Sequence, residues 1–112
     1  MKVAVIGSRS TDSLSLDAVI ERLPKGTYEI ITGGAKGVDL LAEAAARQLQ
    51  LHLKIILPNY KKYGRAAPIV RNEEIINSAD FVLAFWDFHS KGTRNVILEC
   101  IKKRKPVKII KI

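Results

Sequence analysis

The chain has 112 residues, a net charge of +8 at pH 7 and a single cysteine, Cys100. This length predicts one domain over residues 1–112, with a core large enough to fold without disulfides. No apolar run approaches the roughly 20 residues of a membrane-spanning helix, and the first residues lack the pattern of a signal peptide. We therefore expect a cytoplasmic protein that makes no membrane contact.

The excess of positive charge falls into two groups. The C-terminal group fits the solvated face of a last helix and a protected edge strand. The mid-chain group favours phosphate or nucleic acid, because positive charge raises the local concentration of anions. The first group is Lys102, Lys103, Arg104, Lys105, Lys108 and Lys111, and the second is Lys61, Lys62, Arg65 and Arg71.

The first half of the chain alternates short β-branched runs with helix-like segments. Residues 2–6 predict a buried strand, and apolar residues at helical spacing predict a helix over residues 14–23. Residues 28–32 predict a second strand that ends at paired glycines. Residues 38–49 carry the alanine- and leucine-rich apolar stripe of a second helix.

The alternation continues through residue 77. Residues 52–57 predict a third strand, which Pro58 ends, and residues 59–67 predict a polar loop. A third helix should begin near Pro68, because proline suits the first helical position, and should run to about Asn77.

The last third of the chain adds two strands and one helix. Residues 80–86 contain the most apolar run and predict a strand in the centre of the sheet, followed by a loop to residue 92. A fourth helix over residues 93–104 and an edge strand over residues 106–112 complete the pattern. Strict alternation predicts an α/β fold with an open parallel sheet of about five strands between two helical layers.

Three loops that follow predicted strands are rich in glycine, hydroxyl and basic residues. Because such loops share one edge of a parallel sheet and lead into helix N-termini, they predict a phosphate site. The alternative is that their glycines make turns and their serines cap helices. The candidate ligand-binding residues are Gly7, Ser8, Arg9, Ser10, Gly33, Gly34, Ala35, Lys36, Gly37, Asp39, Asp87, Ser90, Lys91, Gly92 and Thr93.

The type of each residue suggests its role in such a site. Glycines allow close backbone approach, hydroxyls donate hydrogen bonds, and lysine and arginine supply charge. The carboxylate of Asp39 can accept hydrogen bonds from ribose hydroxyls. No cofactor is expected beyond the phosphate-bearing ligand itself.

Other cofactors fit the sequence poorly. Neither G-x-G-x-x-G nor G-x-x-x-x-G-K-[ST] is present, so an NAD site and P-loop phosphoryl transfer are not expected. His52 and His89 lack partners at metal-ligand spacing, and we expect no metal site. Cys100 lies on the apolar stripe of the last helix, which predicts a core residue rather than a nucleophile.

Several stretches resemble the SLOG superfamily. That group unites the DNA-processing A proteins, the LOG phosphoribohydrolases and small nucleotide-sensing domains. The resemblance implies a Rossmann-like sheet in the order 3-2-1-4-5, a nucleotide over the first, second and fourth strand-to-helix loops, and a homodimer. It also adds Arg71 and Asn72 to the ligand-binding candidates. The similar stretches are residues 3–9, Thr32-Gly33-Gly34-Ala35-Lys36-Gly37-Val38-Asp39, Arg71-Asn72, Ala79-Asp80 and Ser90-Lys91-Gly92-Thr93.

One departure from that resemblance separates the possible functions. The LOG enzymes have the pattern P-G-G-x-G-T, followed closely by a glutamate. The corresponding stretch of this chain is Ser90-Lys91-Gly92-Thr93, and its next glutamate, Glu99, comes six residues after Thr93. We therefore expect binding or sensing of a phosphate-bearing, nucleotide-derived ligand. The alternatives are a nucleotide N-glycosidase, with Asp39, Asp87 or Glu74 as its catalytic acid or base, and a single-stranded nucleic-acid-binding module.

Overall fold

The computed structural model describes residues 1–112 and contains one sheet of five parallel strands. The strands adjoin in the order β3-β2-β1-β4-β5, which confirms the α/β class and the strand order expected above. The apolar run of residues 80–86, predicted as the central strand, forms β4, which is an interior strand, but the central strand of the sheet is β1. The strands are β1 (Lys2–Gly7), β2 (Glu29–Thr32), β3 (His52–Ile55), β4 (Phe81–Trp86) and β5 (Val107–Lys111).

Helices connect each strand to the next. The segment predicted as a polar loop instead contains a short helix and a 3₁₀ turn, Gly64–Ala66. The side chain of Asn59 caps that helix by accepting a hydrogen bond from the Lys62 amide at 3.1 Å. The last helix begins two residues before the predicted start. The helices are α1 (Leu16–Arg22), α2 (Val38–Gln48), α3 (Tyr60–Tyr63), α4 (Ala67–Ser78) and α5 (Lys91–Lys102).

The core has two halves, one on each face of the sheet. Because both faces are covered, β1 and β4 each contain four consecutive buried residues. On one face, β-strand side chains pack against Ile75 and Ile76 of α4 and against Val96 of α5. On the other face, Val19 of α1 and the alanines of α2 close the core. Each large side chain buried in this way contributes about 1.5–3 kcal/mol.

The parallel arrangement determines where a site can form. The carboxyl ends of β1, β2 and β4 meet at one edge of the sheet, and α2 and α5 begin there. No helix combines the length and apolar character needed to cross a membrane.

Candidate functional site

Ser8 holds two of the glycine-rich segments against the loop after β1. Its amide donates to the Phe85 carbonyl at 3.0 Å, and its carbonyl accepts from the Val38 amide at 3.1 Å. Its hydroxyl accepts from the Asp87 amide at 3.0 Å. With these bonds made, Ser8 is only 1% exposed. Ser8 was predicted to bind ligand; the structure buries it behind these contacts and outside the cleft lining.

Two of the candidate glycines allow the loops at this edge to pack closely together. A Cβ on Gly7 would lie 2.3 Å from the Phe85 carbonyl oxygen, and one on Gly37 would lie 2.3 Å from the Arg9 carbonyl oxygen. Gly37 also has a φ of +81°. These glycines let the loops lie close together and thereby shape the edge of the sheet.

The packed loops leave a cleft of about 460 Å³ at this edge. Three apolar side chains that the sequence analysis did not select, Ile6, Ile75 and Val96, also line it. Their apolar spacing predicts core residues, so the sequence did not mark them as part of a site. The predicted ligand-binding residues that line the cleft are Gly7, Arg9, Ser10, Gly33, Ala35, Asp39, Arg71, Asn72, Asp87, Ser90, Lys91, Gly92 and Thr93.

Some predicted residues do not line this cleft. Gly34, with a φ of +71°, packs beside the side chain of Leu57, and Lys36 is exposed outside the cleft. Glu74, a candidate catalytic group, is exposed on α4 and also lies outside. The remaining two outside the cleft lining are Ser8 and Gly37, described above.

The N-terminus of α5 opens into the cleft. Asp87 Oδ1 accepts hydrogen bonds from the amides of His89 and Ser90, each at 2.8 Å. The Ser90 hydroxyl donates to Asp87 Oδ2 at 3.3 Å and makes no capping hydrogen bond to the helix. The first amides of α5, from Lys91 to Thr93, therefore have no side-chain cap, which is the arrangement that favours an anion.

The same turn makes Asp87 a poor catalytic candidate. The hydrogen bonds from the His89 and Ser90 amides lower the pKa of Asp87 to about 2. A carboxylate with such a low pKa stays ionised near neutral pH and is a weak general base. Its main contact is the turn that leads into α5.

Asp39 and Arg71 approach each other across Gly33. Asp39 is 6% exposed, and its Oδ2 accepts from the Ala35 amide at 3.1 Å. Arg71 Nη1 donates to the Gly33 carbonyl at 2.8 Å. A Cβ on Gly33 would lie 2.7 Å from Arg71 Nη1 and 3.1 Å from Asp39 Oδ2, so only glycine leaves room for both groups.

Burial dominates the electrostatics of Asp39. It raises the pKa of the Asp39 carboxyl, while the bond from Ala35 and the charge of Arg71 oppose the shift. The guanidinium of Arg71, a predicted ligand-binding residue, also donates through Nε to Asn72 Oδ1 at 2.8 Å. Arg71 therefore supports the cleft wall as well as adding charge to it.

Charge elsewhere in the cleft is available to a ligand. The ion pairs of the molecule, Arg47 with Glu43 and Lys103 with Glu99, both lie outside the cleft along α2 and α5. Arg9 and Lys91 are exposed and make no ion pair. The cleft thus combines an uncapped helix, two free cationic side chains and a buried hydrogen-bond acceptor.

The remaining reactive groups form no second centre. No three histidine, cysteine, aspartate or glutamate side chains cluster in a way that would hold a metal ion. Cys100 lies in the core, and burial raises the pKa of its thiol to about 11. It is a packing residue on the inner face of α5.

Fold and cleft together define a Rossmann-like α/β fold with a polar cleft at the carboxyl edge of its sheet. No family model and no curated protein matches the chain. Among solved structures, the chain is similar to DNA processing protein A from Helicobacter pylori, with a TM-score of 0.77 and 22% identity. The match covers 97% of this chain and 64% of that one, less than two thirds. The neighbour's structure describes its mode of binding single-stranded DNA, and the likeness shows a shared fold.

Proposed function

We propose that this protein binds a phosphate-bearing, nucleotide-derived ligand in the cleft. The uncapped N-terminus of α5, open toward the cleft, is the observation that carries the proposal. Free amides at a helix N-terminus and the positive end of its dipole both favour an anion. The strand order 3-2-1-4-5 and the fold shared with DNA processing protein A support placing the chain in the SLOG superfamily as a binding or sensing domain.

The phosphate and the ribose of the nucleotide each have a matching group in the cleft. The phosphate accepts hydrogen bonds from the first amides of α5, and Arg9 and Lys91 supply charge beside them. Each charge-assisted hydrogen bond contributes about 1.5–3 kcal/mol. Asp39, buried and aligned by the Ala35 amide, accepts from a ribose hydroxyl. The recognition is therefore specific for a phosphorylated sugar.

Binding without turnover is favoured over N-glycosidic hydrolysis. Hydrolysis needs a carboxylate within hydrogen-bond reach of the reacting groups. Asp87 is held in its turn, and Glu74 and Glu99 lie outside the cleft lining. Asp39 remains as the single acid positioned against a ribose, and we assign it to recognition.

Calorimetric titration with nucleoside monophosphates and their parent nucleosides tests the proposal. We expect the monophosphates to bind at least tenfold more tightly, because a nucleoside leaves the α5 amides unpaired. Lys91→Ala should weaken monophosphate binding, and Lys36→Ala is the matched control because that lysine is exposed outside the cleft. Equal affinity for nucleoside and monophosphate would exclude a phosphate site.

Single-stranded DNA is a second candidate ligand, favoured by the segment between β3 and α4. Tyr60 and Tyr63 are 61% and 39% exposed, and Lys62 Nζ lies 5.3 Å from the centre of the Tyr63 ring. Lys61 and Arg65 are exposed beside them without ion pairs. Exposed aromatic rings among cations suit base stacking along a charged backbone.

Fluorescence anisotropy with a labelled oligonucleotide tests this second candidate. Affinity should fall steeply as salt rises, because phosphate contacts release counterions. Tyr60→Ala should weaken binding, whereas Tyr28→Ala, another exposed tyrosine outside this segment, should not. Absence of binding at low salt would remove the candidate.

A further inference from the structure

The cleft continues into a second cavity between α4 and α5. This α4–α5 groove has a volume of about 400 Å³, and Asn72, Gly92 and Val96 line both spaces. Gly92 stands at the junction, and a Cβ built there would meet no heavy atom within 4 Å. A ligand held at the N-terminus of α5 therefore has an open path along the helix into the groove.

The chemistry of the groove differs from that of the cleft. Ile69 and Leu98 line it and are 60% and 50% exposed, although the helices that carry them are packed on the sheet. No lysine or arginine lines the groove, and its charged side chains are Glu73 and Glu99, the latter 3.9 Å from Lys103. Such a lining repels phosphate and suits a flat, largely apolar group whose edge donates hydrogen bonds.

We propose that the α4–α5 groove binds the base of the nucleotide whose phosphate lies at the N-terminus of α5. The inference rests on the proposed function and names the part of the ligand that gives it specificity. Leu98 lies six residues beyond Gly92, about 9 Å along the helix axis. The base packs against Leu98 and Ile69, and Glu73 and Asn95 accept hydrogen bonds from its N–H groups.

Two arguments favour a base over the other occupants of an exposed apolar groove. The groove is continuous with the phosphate-binding cleft through three shared lining residues, so one small ligand spans both. Its acidic rim complements the N–H edge of a base and opposes the phosphates that the cleft attracts. A second copy of this chain is the alternative occupant of the groove, and the experiment below distinguishes it from a base.

Titration calorimetry with adenosine monophosphate and ribose 5-phosphate tests the groove. The wild-type protein should bind adenosine monophosphate at least about tenfold more tightly, since ribose 5-phosphate leaves the groove empty. Leu98→Ser should lower the affinity for adenosine monophosphate by about fivefold or more and leave that for ribose 5-phosphate unchanged. Ile101→Ser is the matched control, because Ile101 is also exposed on α5, at 60%, but lies outside the groove.

The outcomes separate this inference from the proposed function. If both ligands bind equally well, the phosphate site stands and the groove is not a base site. If neither binds, the proposed function and the inference both fall. If Leu98→Ser instead converts a wild-type dimer into a monomer in sedimentation equilibrium and leaves both affinities unchanged, the groove is a self-association surface and the inference is overturned.

Discussion

Replacing Gly92 with alanine should make the protein more stable and weaken its binding of a nucleoside monophosphate. Gly92 lies in the first turn of α5 with a negative φ, and a Cβ there meets no heavy atom within 4 Å. Alanine is about 0.5–1 kcal/mol more favourable than glycine in a helix. For a chain of this size we expect the midpoint of thermal unfolding to rise by about 2–5 °C.

The same Cβ enters the space proposed for the phosphate. Because a helical Cβ tilts toward the N-terminus, it projects to where the anion approaches the free amides. Loss of one charge-assisted bond costs about 1.5–3 kcal/mol, or roughly 10- to 150-fold in affinity. Differential scanning calorimetry measures the first effect, and isothermal titration with adenosine monophosphate measures the second.

Gly7, which also lines the cleft, provides the contrasting variant. Its Cβ would meet the Phe85 carbonyl oxygen at 2.3 Å, so Gly7→Ala should destabilise the fold by about 1–3 kcal/mol. If Gly92→Ala raises the unfolding temperature and leaves the affinity unchanged, the phosphate does not lie at the N-terminus of α5. If it lowers the unfolding temperature, the space beside Gly92 is not open.

Three further predictions concern the charged groups of the cleft. Burial raises the pKa of Asp39 above 3.8, so the folded state holds that proton more tightly than the unfolded chain. Urea unfolding from pH 3 to 7 should therefore show that the wild type loses stability relative to Asp39→Asn as the pH rises through the pKa of Asp39 in the folded state. A gain in the stability of the wild type relative to Asp39→Asn over this range would contradict the prediction. Arg9→Ala should weaken monophosphate binding roughly 10- to 150-fold and leave the free energy of unfolding unchanged within about 0.5 kcal/mol. Arg71→Ala should also lower the free energy of unfolding by about 1 kcal/mol, because it loses the hydrogen bond to the Gly33 carbonyl. Equal unfolding midpoints for the two variants would refute the role of Arg71 in supporting the cleft wall. Chromatography after incubation with monophosphates should detect no free base, and base release that Asp39→Asn abolishes without loss of binding would establish a hydrolase.

Much of the fold could be predicted because its signals are local. Short β-branched runs that alternate with amphipathic helical segments indicate a parallel sheet. The glycine- and hydroxyl-rich loops after its strands indicate that a site forms at the carboxyl edge of that sheet. The short helix α3 was missed because four residues carry almost no periodicity. Its sole local signal is Asn59, a good N-cap residue.

The roles of individual site residues depended on tertiary contacts that the sequence does not display. Ser8 has the residue type of a phosphate ligand, but hydrogen bonds from distant loops occupy it. Glycine composition did not distinguish Gly7, required for packing, from Gly92, which faces open space. Likewise, the exposure of Ile69 and Leu98 follows from how α4 and α5 pack, which periodicity alone does not determine.

An amide-resolved NMR titration with adenosine monophosphate tests the central claim most directly. The account predicts the largest shifts at the amides of Lys91, Gly92 and Thr93, with further shifts at Arg9 and Ala35 across the cleft. Shifts confined to the segment from Tyr60 to Arg65, or no shifts at millimolar nucleotide, would contradict it.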